Sequence, residues 1–181
     1  MNISAITCPK CGAPSKLNQN DLLFMCETCE TLHYVENNAS QAVEYEVVKP
    51  DKETENTRYL PFWKLNSEFI VLSSEVSGFW TSRHNDKNRG KMEIFIPAWD
   101  LDPASFRSWA VNLTTKAWTY LMGGKIGRHH RVPATISKQQ AYELADFVVV
   151  TIEAEKPGTL QDLRYNLKIL GAEIVYIPQN L

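Results

Sequence analysis

The sequence lacks a long hydrophobic run, and this absence is the first constraint on its class. The longest apolar stretch surrounds residues 147–150, far short of the roughly 20 residues that span a bilayer. We therefore expect no membrane insertion. The first six residues, MNISAI, have neither a basic start nor an apolar segment of signal-peptide length, which favours a cytoplasmic location.

An excess of one charge sign is also missing. The 181 residues include 19 basic and 21 acidic side chains, and a net charge of −2 argues against wholesale wrapping by nucleic acid. The charges are unevenly placed: residues 1–56 carry four basic and nine acidic side chains, whereas residues 78–138 carry ten basic and four acidic ones. The acidic start disfavours phosphate binding there, and it favours a protein partner or internal packing against the rest of the chain.

Recognisable catalytic motifs are absent as well. Gly124 and Lys125 precede Ile126 where a P-loop has Ser or Thr, and neither a dinucleotide-binding glycine pattern nor a nucleophile elbow occurs. Histidine–carboxylate sets can perform acid–base chemistry, but nothing in their spacing brings them together. Catalysis is therefore disfavoured, and a hydrolase stays a third alternative built on these candidates: His84, His129, His130, Asp86, Asp100 and Asp102.

Four cysteines are present, in two pairs of identical spacing. Cys8 and Cys11 are separated by two residues, as are Cys26 and Cys29, with fourteen residues between the pairs. Two such turns form a tetrahedral four-thiolate shell, and Gly12 permits the backbone angles of a metal-binding knuckle. We predict one structural Zn²⁺ per chain. Iron fits the same geometry, and disulfides would require an oxidising compartment.

The residues around these cysteines predict short strands. Residues 22–25 lead into the second knuckle, residues 31–35 leave it, and residues 37–40 form a turn before a third strand at 42–48. This arrangement resembles the zinc-ribbon superfamily, with rubredoxin-like knuckles, over residues 1–48. The resemblance implies a β-hairpin module that serves nucleic-acid binding, protein docking or structural capping, so it does not specify a function.

A second domain is predicted after a polar linker or hairpin loop at residues 49–57. Aromatic and β-branched residues predict strands at 58–65, 68–72 and 91–96. Three helices then follow by cap and spacing, together with two strands whose order suggests parallel neighbours. The fold class is therefore α+β, with an N-terminal β zinc ribbon and a mixed-sheet domain (58–181) of about three helices. The predicted helices start at Asp102, Ser137 and Thr159 and end near Gly123, Ala145 and Gly171, and the two strands are residues 147–153 and 174–177.

Two tryptophans and two basic loops are the candidate contact residues. Trp63 and Trp99 each follow a proline by two residues, and we expect Trp63 in the core and Trp99 at an interface. These proline–tryptophan elements resemble uncharacterised bacterial proteins with an N-terminal zinc ribbon, a resemblance that implies no activity. Loops 83–91 and 125–131 would form a cationic face if the fold brings them together. Its candidate residues are Arg83, Arg89, Lys125, Arg128 and Arg131.

The pattern as a whole favours a non-catalytic, zinc-stabilised adaptor that docks onto another protein within a larger assembly. The alternative is a nucleic-acid-binding protein that uses basic loops 83–91 and 125–131. Salt dependence separates the two, because phosphate binding weakens steeply as salt is added.

Overall fold

The computed structural model describes most of the chain in two β-sheets and two helices. The described residues are 6–15, 20–52, 54, 56–77, 89–116, 121–123, 126, 130–156 and 159–179. Within them, neither helix has the length and apolar character needed to cross a membrane.

The smaller sheet follows the first cysteine pair and contains three antiparallel strands, β1 (Phe24–Met25), β2 (Leu32–Glu36) and β3 (Ala39–Ala42). Asn37 and Asn38 join β2 to β3 with φ of 50° and 62°, the positive angles of a two-residue type I′ hairpin loop. The predicted third strand at 42–48 is wrong in extent. Strand β3 ends at Ala42, and β4 (Tyr45–Val47) joins the larger sheet.

The larger sheet has five strands: β4, β5 (Arg58–Ser77), β6 (Arg89–Pro97), β7 (His130–Arg131) and β8 (Thr159–Gln179). Their order is β4-β8-β5-β6, and β7 pairs with the start of β5. Strand β8 is parallel to β4 and antiparallel to β5. The domain boundaries at residues 48 and 57 stay predictions.

The predicted helix from Thr159 to Gly171 is wrong, and with it the fold class of an α+β domain with about three helices. These residues lie in strand β8, and the described chain contains two helices. The leucine spacing suggested a helical face, but a second pattern prevails here: alternate residues 163, 165, 167 and 169 are half-buried, whereas 164, 166, 168 and 170 are exposed. Period-two burial is that of a strand with one face on the core.

The second helix is longer than predicted. Helix α2 (Lys138–Ala154) opens with the expected capping box between Ser137 and Gln140, but it continues through the predicted strand at 147–153. The run of valines has strand propensity, and tertiary packing overrides it, because one helical face becomes fully buried. That face includes Ala141, Ala145, Val148 and Val149. Without a strand at 147–153, the predicted parallel neighbours do not exist.

Helix α1 (Pro103–Thr115) begins where the sequence predicts. The Asp102 side chain accepts hydrogen bonds from the Ala104 and Ser105 N–H groups. The helix ends before the predicted stop at Gly123, and residues 117–120 lie outside the described chain. Helix α1 covers the outer edge of β6, where the Phe95 N–H donates to the Thr114 hydroxyl at 3.1 Å.

The core has two parts, one on each face of the larger sheet. Trp63 and Tyr176 belong to the part that contains α2, and Leu23 and Leu32 of the smaller sheet belong to it as well. The other part contains Phe62 and its neighbours. The cysteine module, which we define as the two knuckles with β1 to β3, therefore shares a core with the larger sheet.

Candidate metal centre

The four cysteine sulfurs converge on one point, as the spacing of the pairs predicts. All four Sγ atoms lie within 4.8 Å of one another. Cys8 Sγ is 3.6 Å from Cys29 Sγ, and Cys11 Sγ is 3.6 Å from Cys26 Sγ. Each short distance joins a cysteine of one pair to a cysteine of the other, so the cluster fastens two separate chain segments together.

The two knuckles have the same backbone geometry. Gly12 follows the first pair with φ of 73°, and its N–H donates to the Cys8 carbonyl at 2.9 Å. Glu30 follows the second pair with φ of 56°, and its N–H donates to the Cys26 carbonyl at 2.9 Å. The turn thus requires a positive φ after each second cysteine. Glycine meets this requirement in one knuckle, and a strained glutamate meets it in the other.

The sulfur arrangement fits a tetrahedral metal ion. Metal–sulfur bonds of about 2.3 Å place neighbouring sulfurs of a tetrahedron about 3.8 Å apart, close to the observed separations. A disulfide would require about 2.05 Å between sulfurs, and all four cysteines are free. The cluster is compatible with one structural metal ion, and sulfur geometry alone does not choose between zinc and iron. When bound, such an ion supplies cross-linking between the two knuckles.

The cysteines of the cluster differ in the direction in which their pKa is shifted. Hydrogen bonding from the Thr31 hydroxyl lowers the pKa of Cys29 to about 6. The backbone N–H groups of Cys29 and Thr28 lower the pKa of Cys26. The Ala13 N–H favours the Cys11 thiolate, but interactions with the other three cysteine sulfurs and burial together outweigh this effect and raise the pKa of Cys11 to about 12. Hydrogen bonding therefore favours the thiolate, the form of cysteine that binds a metal cation, at two of the four cysteines.

His33 supports the knuckles from outside the cluster. It is fully buried on β2, and its Nε2 lies 2.8 Å from the Ser15 hydroxyl just beyond the first knuckle. Within the described residues, the group that could hold a metal contains the four cysteines without His33. The histidine is thus an ordinary hydrogen-bonded strand residue.

A buried ion pair attaches the cysteine module to the larger sheet. The Arg131 guanidinium donates to the Asp21 carboxylate, to the Leu23 carbonyl at 3.1 Å and to the Tyr176 hydroxyl at 2.9 Å. The other Asp21 oxygen accepts from the Leu23 and Ala134 N–H groups, each at 3.0 Å. Asp21 is 5% exposed. The network joins the module, β7 and β8 at one place.

Two further contacts connect the module to its surroundings. The Lys138 ammonium, at the start of α2, lies about 6 Å from the ring centroids of Tyr34 on β2 and Tyr142 on α2. The Tyr45 hydroxyl of β4 donates to the Glu30 carbonyl in the second knuckle at 3.2 Å. The module therefore contacts the helix and the sheet through several independent points.

The two tryptophan candidates have different environments. Trp63 is 1% exposed, and its indole N–H donates to the Ile136 carbonyl at 2.9 Å, which is a core arrangement. Trp99 is half-buried on the other face of the sheet. Its ring lies edge-on to Phe62 at 5.1 Å and 6.4 Å from that of Trp109. Part of an aromatic cluster thus reaches the surface at Trp99.

The basic candidates fall mostly outside the described residues. Arg83, Lys125 and Arg128 lie there, and Arg89 is described only through its backbone at the start of β6. Arg131 is described, and its guanidinium is engaged with Asp21 inside the chain. The convergence of loops 83–91 and 125–131 into one cationic face stays a prediction.

The histidine–carboxylate candidates do not form a described site. His84, Asp86 and His129 lie outside the described residues, and Asp102 caps α1. His130 is exposed on β7, and Asp100 is exposed in the connection between β6 and α1. Among the described residues, no histidine belongs to a cluster that could hold a metal.

A second charged cluster was missed by sequence reasoning. Lys64, in the first half of β5, lies 2.9 Å from Glu173, 3.4 Å from Glu93 and 3.8 Å from Glu46, each on a different strand. A single lysine within the otherwise apolar run 60–65 is the only signal that the sequence offers for it. A cleft of about 450 Å³ between this cluster and the second knuckle is lined partly by Lys10, Glu30, Glu44, Glu46 and Glu173.

Comparison with known proteins adds no functional assignment, so any assignment depends on the four-cysteine cluster. No protein-family model matches the chain, and neither a curated protein nor a solved structure matches it.

Proposed function

We propose that this protein is a zinc-stabilised, non-catalytic adaptor that docks onto another protein through the surface around Trp99. The observation that carries the proposal is the closed four-cysteine cluster within a module that shares the core of the larger sheet. A metal with four protein thiolates has no open position for substrate or water, so its role is to hold the fold.

The aromatic cluster around Trp99 supports the docking half of the proposal. Trp99 and Trp109 are half-buried over fully buried Phe62, so the Trp99 ring is held rigidly while part of it faces solvent. A large aromatic side chain that is already immobilised loses little entropy on binding, which is why tryptophan is frequent among interface anchors.

Charge supports a protein partner over nucleic acid at the cysteine module. The cleft beside the second knuckle presents four glutamates and one lysine, and these carboxylates would repel phosphate. The module is therefore suited to internal packing or to contact with a protein.

The test is co-purification of the partner from native cells with a tagged chain carrying Trp99→Ala. We expect the variant to lose the partner and to keep a cooperative thermal transition. Phe147→Ala is the matched control, because Phe147 is a 48% exposed aromatic on α2, which packs on the opposite face. That variant should retain the partner.

Two outcomes contradict the proposal. A folded Trp99→Ala variant that retains every partner would refute the proposal that the protein docks through the surface around Trp99. If the Trp99→Ala and Phe147→Ala variants both lost the partner on nuclease treatment or at moderate salt, the nucleic-acid alternative would be favoured instead.

A further inference from the structure

Strand β8 has a long edge to which no other strand of the described residues pairs. Strand β5 pairs with it from Thr159 to Gln179, whereas β4 pairs only with Ile174 to Tyr176 on its other side. Within the described part of the chain, no strand pairs with that other side over residues 159–173. At 3.3 Å per residue, this edge is about 50 Å long. Residues 159–173 also contain no proline to block pairing.

The direction of the backbone groups on this edge follows from two hydrogen bonds. The Ile174 N–H donates to the Glu44 carbonyl beside β4, so residue 174 directs its backbone groups to the outer side. Leu170 is an extra residue at the point where the register with β5 shifts. Outward-facing backbone groups therefore belong to even-numbered residues after it and to odd-numbered residues before it. Residues 165, 167 and 169 therefore direct their N–H and C=O groups outwards.

The hydrogen bonds of β5 indicate the same direction for the backbone groups of β8. The Pro61 carbonyl accepts from the Ala98 N–H next to β6, so odd-numbered residues of β5 bond away from β8 in this region. Ser67 and Phe69 continue that alternation, and they lie opposite Ile169 and Leu167. Pairs of this kind leave the β8 backbone groups free for a strand on the other side.

We propose that the β8 edges of two copies of this chain pair antiparallel across a two-fold axis at Tyr165, giving a dimer with one continuous sheet. A half-buried apolar residue alternates with an exposed polar one from Leu163 to Asn166. The axis places Leu163 opposite Leu167 of the second copy and Arg164 opposite its Asn166. The strand is thus complementary to itself.

Charge selects this axis over its neighbour. An axis at Asn166 would set Arg164 opposite Lys168 of the second copy, twice in one dimer, and like charges directly opposite are destabilising. The axis at Tyr165 avoids that pairing. It also keeps the apolar side chains of both copies on the face that α2 covers.

The proposal is tested by charge substitution at Asn166, which is exposed and lies opposite Arg164 of the second copy. Sedimentation equilibrium of the purified chain should show a concentration-dependent dimer. Asn166→Lys should weaken the dimer by about tenfold, because it creates two like-charge pairs, and Asn166→Glu should strengthen it by a similar factor. The two variants are matched controls for each other, and both should keep the wild-type thermal midpoint in the monomer.

A second measurement tests directly whether the β8 edge is hydrogen-bonded in the dimer. Amide hydrogen exchange resolved by residue should slow at residues 163, 165 and 167 as protein concentration rises, while residues 164, 166 and 168 stay protected at every concentration. A chain that remains monomeric throughout would overturn the proposal. So would a dimer that responds equally to both Asn166 substitutions, or one without concentration-dependent protection at residues 165 and 167.

Discussion

Asp21 and Arg131 are 110 residues apart in the sequence, and their side chains form a buried ion pair that attaches the cysteine module to the larger sheet. Each partner also makes two further hydrogen bonds, so both charges are well satisfied. The arginine belongs to one of the loops that composition alone marks as basic and solvent-facing.

Arg131→Ala should lower the free energy of unfolding by about 3–5 kcal/mol, because it leaves the Asp21 carboxylate buried without its counter-charge. Urea unfolding followed by tryptophan fluorescence measures the change. Arg107→Ala is the matched control, because Arg107 pairs with Glu155 on the exposed surface, and its loss should cost less than about 1 kcal/mol. Similar costs for the two variants would mean that the Asp21 pair is not structural.

Purified protein should contain one zinc ion per chain, and Cys26→Ser should remove it. Leu23 and Leu32 flank the second knuckle and belong to the part of the core that contains α2, so metal loss should lower the stability of the larger sheet as well as the module. Metal analysis and chelator-induced unfolding, followed by limited proteolysis, measure both effects.

Thr28→Ala, in the same knuckle, is the control for the cysteine substitution and should keep the metal. Iron in a coloured protein would refute the assignment of zinc. If residues 58–179 kept full protease resistance in the metal-free variant, the shared core would not couple the two parts.

The local signals in the sequence were sufficient for the metal cluster and insufficient for the sheet. The spacing of Cys8, Cys11, Cys26 and Cys29 predicts their convergence because each ligand pair lies within one turn. Asp102 and the Ser137 capping box predict helix starts for the same reason. Strand β8 depends instead on pairing with β5, about a hundred residues earlier, and no local pattern reports that partner.

Gly12→Ala and Glu30→Gly should have unequal effects on stability. Alanine at φ of 73° should cost about 1 kcal/mol or more, although a Cβ there would meet no neighbouring atom. At Glu30, glycine relieves strain of similar size, and the larger entropy of the unfolded chain offsets part of this gain. Thermal unfolding of the metal-loaded variants measures the difference. Equal destabilisation by both would contradict the shared knuckle geometry.

Stability should fall in alkali as Tyr176 titrates. Burial raises the pKa of Tyr176 to about 12, from about 10 in an unfolded chain. Its contribution is complete below pH 10 and is lost as the pH rises towards 12, because the unfolded chain releases the proton first. The loss amounts to about 3 kcal/mol at most.

Tyr176→Phe removes this titration, so the difference in unfolding free energy between wild type and variant should narrow as the pH rises through this window. The variant starts from lower stability, because Arg131 loses an acceptor. Urea unfolding at several pH values measures the gap. A gap that stays constant would show that the hydroxyl titrates normally.

The sequence also lacks a signal for the partners of charged residues that the fold buries. The sequence around Arg131 predicts a glycine-rich basic loop, and only the fold shows that Arg131 lies in β7 and is neutralised by Asp21. Lys64 reads as a polar strand residue, and its three carboxylate neighbours come from β4, β6 and β8. Such contacts depend on strand order, which is set by long-range packing rather than by composition.

The position of β8 between β4 and β5 bears on how the chain folds during synthesis. The two cysteine knuckles are close in sequence, so the module can take up its metal early, while later residues are still being made. The larger sheet cannot close then, because β8, which lies between β4 and β5 in the sheet, is synthesised about a hundred residues after them. Sheet formation should therefore be slow and follow translation of residues 159–179, as expected for pairings of high contact order.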